Sequence, residues 1–278
     1  MENSVQQFRQ WMEIKRYSHN TIKVYTDIVK LFLTHLSPNQ SLEQINLNDV
    51  NHFIQKIIIN KKLSSSYQNQ VVNALKLYFQ VTKQIKIDVH KLSRPRRSYK
   101  LPNVLSSAEV KAILNALTNT KHRTMLSLIY ACGLRRSELL NLRPIDVDSK
   151  RMILLIKEAK GKKDRIVPIS AKIVEMLRAY YKIYRPKIWL FEGQQAGEKY
   201  GERSLQLVLK QATRKAHIKK PVTLHWLRHS YATHLLEKGT SLRYIQELLG
   251  HKSSKTTEIY THVSTRSICQ IKSPFDDL

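Results

Sequence analysis

The stretch KLSRPRRSYKLP, residues 91–102, constrains this chain more than any other feature. Its two prolines lack backbone donors and push the residues before them out of helical geometry, and its five basic side chains come with no acid and no long apolar run. Such a segment reads as an extended linker, so two domains are expected, residues 1–90 and 103–278. With 42% hydrophobic residues in 278, both have material for a core.

Both sides of the linker read as mainly helical. Val5, Phe8, Trp11 and Met12 fall at helical spacing, and Ile22, Tyr25, Ile28, Val29, Phe32 and Leu36 form a broad apolar face. Further faces in Val50–Ile59 and Tyr67–Val81 predict a bundle of about four helices, with short polar caps supplied by RYSHNT and SSSYQNQ. After the linker, Ser106 and Glu109 have capping-box spacing. The segment KRMILLIKEAKGKKDRIVPIS predicts a β-hairpin with Gly161 in or beside its turn and Pro168 at its end. The closing segment predicts a helix from about Leu224 to before Gly239, a second capped by Thr240 or Ser241 and ending at Gly250, and a third starting near Ser254 and holding Tyr260. The fold class is therefore mainly α with a small β-hairpin or sheet (α+β).

Lys and Arg number 48 against 21 Asp and Glu, a net charge of +27 that points to a polyanion partner, nucleic acid first. The charge is spread along the chain, and Arg94, Arg96, Arg97 and Lys100 of the linker are expected to follow a phosphate backbone. With no apolar run of about 18 residues and no secretory pattern at the start, cytoplasm is expected and a membrane is not. Two cysteines, Cys132 and Cys269, support neither a disulfide framework nor a cysteine zinc site.

Three segments carry candidate chemistry. In HWLRHSYATHLL, His225 and Arg228 lie three residues apart on one helix face, an arrangement suited to an oxyanion, while the surrounding apolar residues make Arg228 costly to bury without an anionic partner. His225 and His229 are one turn apart, yet the glutamate of the H-E-x-x-H zinc motif is missing, so no metal is expected. In ACGLRRSELL, Arg135 and Arg136 follow Gly133 and Leu134 at a predicted helix start, with Glu138 three residues past Arg135. Lys160, Lys162 and Lys163 form a cationic group in the hairpin turn.

The order G-L-R-x-S-E-L (Gly133–Leu139), K-G-x-K-x-R-x-V-P (Lys160–Pro168), H-x-L-R-H-S-x-A-T-H (His225–His234), L-L-G-H (Leu248–His251) and Y-T-H (Tyr260–His262) closely resembles the tyrosine recombinases, over nearly the whole chain. The resemblance implies a DNA clamp of a helical core-binding domain and a catalytic domain, acting on a double-stranded recombination site as a homotetramer in the nucleoid of a bacterial-type cytoplasm, without metal, ATP or other cofactor. It implies Arg135 and Arg228 as the phosphate-holding arginines and Lys160 as the acid for the departing 5′ oxygen, with Lys162 and Lys163 able to substitute. His225 and His251 would assist proton transfer and bind the phosphate, and Tyr260 would be the nucleophile. Ile259 and Val263 are expected to pack its helix, leaving Tyr260 facing the phosphate. A DNA-relaxing topoisomerase-like enzyme and a catalytically silent DNA-binding protein are the alternatives.

Overall fold

Short polar side chains start the first helices and aromatic residues close their core. In the computed structural model, which describes residues 2–36, 40–61, 63–82, 91–92, 94–95, 101–159, 163–251 and 253–261, the chain divides into two compact units, Met1–Tyr99 and Lys100–Leu278. The first holds α1 (Glu2–Ile14), α2 (His19–Leu33), α3 (Leu47–Lys61) and α4 (Ser65–Thr82). Ser18 caps α2 by accepting from the Thr21 amide at 3.1 Å, and Ser64 accepts from the Tyr67 amide at the start of α4. Phe32 packs edge-on against Phe53 and Phe79, with ring centroids 5.1 and 5.8 Å away, and Phe8 against Tyr78 at 5.4 Å. The expected apolar faces of α1 and α2 are buried here through Val5, Phe8, Met12, Ile28, Val29 and Phe32.

The second unit is helical around one small sheet. Its helices are α5 (Ser107–Asn115), α6 (Thr120–Cys132), α7 (Arg136–Asn141), α8 (Ala171–Tyr184), α9 (Glu202–Lys215), α10 (Leu224–Glu237), α11 (Leu242–Leu249) and the single turn α12 (Lys255–Glu258). The capping box at α5 forms in both directions: the Glu109 amide donates to Ser106 Oγ, and the Ser106 amide to Glu109. The hairpin is β2 (Ile153–Ala159) with β3 (Lys163–Pro168), antiparallel, and a two-residue strand β1 (Val147–Asp148) adds to its other edge. β1 carries too few residues for a periodic signal. Leu154, Ile156 and Val167 face the core while Asp164 and Ile166 face out, which by the period of two puts Arg165 on the inner face of β3. Gly161 and Lys162 lie outside the described residues.

α10 is the buried axis of this unit, with Leu224, Leu227, Arg228, Ser230, Ala232 and Thr233 all inside. Ser230 Oγ accepts from the Leu105 amide at 2.8 Å and donates to the Trp226 carbonyl, tying the segment before α5 to α10. α12 ends at Glu258, so Tyr260 occupies the turn just after it rather than the helix the spacing predicts.

Gly133 ends α6 in the left-handed conformation, φ 58°, and a Cβ there would sit 2.5 Å from Tyr231 Cδ1 and 2.9 Å from Leu249 Cδ2. Backbone strain and overpacking therefore act together. Gly133→Ala is expected to cost about 2–4 kcal/mol, read as a loss of stability in denaturant unfolding.

Candidate active site

Polar side chains from α7, β3, α10 and the turns after α11 and α12 meet beside the C-terminal ends of α6 and α11. Arg135 is the residue before α7, and its amide and guanidinium both donate to the Glu138 carboxylate at 2.7 Å. Arg165 of β3 donates to both oxygens of the same carboxylate, each at 2.8 Å, and its Nε to the Leu248 carbonyl at 2.8 Å. Arg228 of α10, 3% exposed, donates to the carbonyls of Gly133 and Leu249 and lies 3.6 Å from Glu138. The anionic partner that a buried Arg228 requires is met in part by Glu138 and in part by helix-end carbonyls.

This crowding of like charges has electrostatic consequences. Burial raises the Glu138 carboxyl, but the hydrogen bonds and charge of Arg165, then the Arg135 contacts, override it and hold the group down at about 2. Burial, followed by the positive charge of Arg135, brings the Arg228 guanidinium down to about 9. Three guanidiniums share one carboxylate, so the site keeps unspent attraction for an anion.

Three imidazoles complete it. His251 Nε2 lies 3.2 Å from Arg228 Nη2, which can only donate, so Nε2 accepts and the Nδ1 proton points to Thr257 Oγ1 at 2.9 Å. Burial and then Arg228 bring His251 down to about 4. His229 Nδ1 lies 3.0 Å from the Tyr260 hydroxyl, and burial followed by His225 and Arg228 brings it to about 4 as well. His225 is exposed and overlies the His229 ring at 6.1 Å between centroids. Its pKa is lowered by burial against its neighbours and by Arg228.

Tyr260 departs from expectation. It is 1% exposed and packs with Ala232, Ile245 and Leu249, joined by the partly buried Ile259, so the ring is a core residue. The reason is the short α12: with Tyr260 in the following turn, its side chain points back between α10 and α11 rather than out from a helix face. Its hydroxyl still reaches the site, and its ring lies 13° from the plane of His251 at 6.4 Å. Burial raises its pKa, and Arg228 and Arg135 oppose that. Val263 falls outside the described residues.

The structure thus brings Arg135, Arg228, His225, His251 and Tyr260 into one neighbourhood. Lys160 and Lys162 lie outside the described residues, as do Arg96, Arg97 and Lys100. Lys163 pairs with Ala159 through the backbone of β3. Arg94 donates to Asn69 and Asn73 of α4, so that linker residue is engaged with the first unit. Arg136 pairs with Glu202 at 2.6 Å. Arg165, His229 and Thr257 were not singled out for this site by sequence reasoning; the R of K-G-x-K-x-R was the available signal for the first. Also beyond sequence reasoning is a cavity of about 1020 Å³ beside the site, with Arg135 and His225 on its wall and Lys210, Arg214, Lys219 and Lys220 adding charge. Among the described residues no three His, Cys, Asp or Glu side chains converge to hold a metal ion, and no helix is long and apolar enough to cross a membrane.

Comparison with known proteins gives a consistent relationship. The pattern described as "Phage integrase family" matches residues 103–266, and "Phage integrase, N-terminal SAM-like domain" matches residues 5–89. The chain is 33% identical over 277 residues to a tyrosine recombinase of Thermosipho africanus, covering 95% of this chain and 96% of that one. It is 34% identical over 270 residues to the tyrosine recombinase XerA of Pyrococcus horikoshii, covering 95% and 90%. Among solved structures it resembles a XerH site-specific recombinase bound to its palindromic difH substrate in a post-cleavage complex, with TM-score 0.76, 25% identity, and 92% and 80% of the two chains covered. A lambda integrase dimer on a core site, at 18% identity and TM-score 0.77, covers 94% of each chain and is alike in fold.

The depressed pKa values set a pH dependence. A group whose folded pKa is lowered binds fewer protons folded than unfolded, so its stabilisation is present above the unfolded value and lost as pH falls toward the folded one. Stability is expected to fall first between about 6.5 and 4, from His229 and His251, and again between about 4.5 and 2, from Glu138. Glu138→Gln should shrink the lower stage, to which Glu109 and Glu192 also contribute, and leave the upper one in place, while costing about 3–5 kcal/mol at neutral pH, both read from denaturant unfolding as a function of pH.

Proposed function

The chain belongs to the phage integrase family of tyrosine recombinases, and from this we propose that it cuts and rejoins DNA at a specific site through a covalent 3′-phosphotyrosine intermediate. The observation that carries the reading is that Tyr260, its hydroxyl in contact with His229 and its ring beside His251, lies within the field of Arg228 and Arg135, which share one carboxylate.

The chemistry follows from charge. As a nucleophile adds to a phosphodiester, negative charge grows on the non-bridging oxygens, and fixed guanidinium and imidazole donors stabilise it because they need no reorganisation at that moment. Arg135, only partly buried and on the cavity wall, and Arg228 behind it are assigned to the scissile phosphate, with His225 and His251 as further donors or proton carriers. His251 must release its Nε2 contact with Arg228 to do so. Lys160 is assigned to protonate the departing 5′ oxygen, with Lys162 and Lys163 able to take its place. The phosphotyrosine ester conserves the bond energy, so a second 5′ hydroxyl can displace Tyr260 without ATP. Guanidinium and imidazole donors supply the charge stabilisation, so no metal is required.

Residues 1–90 act as the core-binding domain and residues 103–278 as the catalytic domain of a clamp on double-stranded DNA, the linker with Arg94, Arg96, Arg97 and Lys100 following the backbone. The basic cavity wall beside Arg135 extends the phosphate-binding surface. Exchange of both strands of two duplexes needs four tyrosines, and one per subunit makes the working unit a homotetramer on synapsed DNA. Acting on DNA in a bacterial-type cytoplasm, the protein would associate with the nucleoid.

A nicked suicide duplex carrying the recombination site is expected to trap a covalent protein–DNA adduct in EDTA. Tyr260→Phe should abolish the adduct, and adduct formation by that variant, or its loss on chelation, would refute the assignment. Arg135→Ala should keep DNA binding while lowering cleavage by about 10²–10³-fold, measured in single turnover.

A further inference from the structure

Attack by Tyr260 requires that its hydroxyl lose a proton, and three imidazoles stand close enough to be considered. His251 lies parallel to the phenol ring, yet both its nitrogens are engaged elsewhere: Nε2 accepts from Arg228 and Nδ1 donates to Thr257. His225 is exposed on the cavity wall and overlies His229, and the contact to the phenol oxygen is made by His229 instead. Only His229 Nδ1 meets the phenol oxygen at hydrogen-bonding distance, 3.0 Å, with ring centroids 5.7 Å apart.

We propose, resting on the assignment of Tyr260 as nucleophile, that His229 is a further catalytic residue, the base that accepts the Tyr260 proton as the phenol attacks. A base must first be within reach of the proton it takes, and His229 meets that criterion in the folded protein. It must also be unprotonated beforehand. His229 faces His225 and Arg228 from its own helix, His251 from the turn after α11 and Tyr260 from the turn after α12. Burial, then the charges of His225 and Arg228, lower its pKa and keep it neutral at physiological pH; in the tautomer that carries its ring proton on Nε2, Nδ1 is the acceptor toward the Tyr260 hydroxyl.

The step balances. The Tyr260 O–H bond breaks and its proton passes to His229 Nδ1, while the phenol oxygen forms the new bond to phosphorus. The bond from phosphorus to the 5′ oxygen breaks, and that oxygen takes its proton from the separate acid assigned to Lys160. In the reverse step His229 returns its proton to the departing phenolate. His225 and His251 remain with the phosphate. The residue lies one position past Arg228 in H-x-L-R-H, so one helix turn carries a phosphate donor, a guanidinium and the base.

His229→Asn separates this role from simple docking, because the asparagine Oδ1 can occupy the place of Nδ1 and accept the Tyr260 hydrogen bond but cannot take the proton. Adduct formation on the nicked duplex is measured in single turnover from pH 6 to 8, below the range in which Arg228 loses its charge, for the wild type, His229→Asn and Tyr260→Phe, with DNA binding and thermal midpoint as folding controls. His229→Gln is read in the same way should the asparagine variant not fold. The wild type is expected to be nearly flat in this range. The variant should be slower by about 10²–10³-fold at pH 7 and should recover about tenfold per pH unit as the phenolate forms by itself. A duplex with a sulfur in place of the departing 5′ oxygen should leave this deficit in place, since it relieves only the need for the acid. A rate within about threefold of the wild type, a deficit independent of pH, or rescue by the sulfur substrate would overturn the proposal. Adduct formation by Tyr260→Phe would instead overturn the assignment of the nucleophile.

Discussion

The carboxylate of Glu138 is what allows this site to exist. Three arginines, one just before α7 and the others on β3 and α10, approach one another in the second unit, and each would repel the others without an anion among them. Glu138 accepts from Arg135 and, bidentately, from Arg165, and lies close to Arg228, so a single buried charge fixes the register of three elements. The strand–helix arrangement of this half follows the same contacts: β3 is held to α7 through Arg165 and Glu138, and to α11 through Arg165 and the Leu248 carbonyl. β3 is in this way attached, through Glu138, to Arg135 and Arg228.

Much of the fold is legible in the residues. Helical periodicity identifies α1 and α2, and the polar residues Ser18 and Ser106, which cap α2 and α5 by accepting from free amides, mark where those helices start. β1 is not legible: two residues have no period, and its place depends on pairing to β2. The ending of the chain is the instructive miss. Ile259 and Tyr260 are adjacent, and which of them turns inward depends on where α12 stops; a single turn ending at Glu258 is too short for its own periodicity to decide that, and the groove between α10 and α11 takes the tyrosine.

The site divides along the same line. Arg135, Arg228, His225, His251 and Tyr260 stand in recognisable local motifs, and resemblance finds them. The partners that set their state do not: Arg165 is one more arginine in a basic hairpin until the alternation of β3 turns it inward, and His229 is distinguished only by an oxygen that reaches it from 31 residues further on. Contacts across long stretches of chain decide protonation, and a local pattern carries no record of them.

The helix ends described above have a consequence for charge. Gly133 closes α6 and Gly250 closes α11, and the carbonyls released at these ends, those of Gly133, Leu249 and Gly250, accept from Arg228 and Arg135. These are the negative ends of helix dipoles, partial charges that hold a guanidinium in place without cancelling it. A second carboxylate in the same positions would have to be displaced by any incoming anion. Carbonyls need not be, so the arginines are immobilised with their charge uncancelled, and the glycines that stop two helices also set how strongly the pocket can draw in an anion.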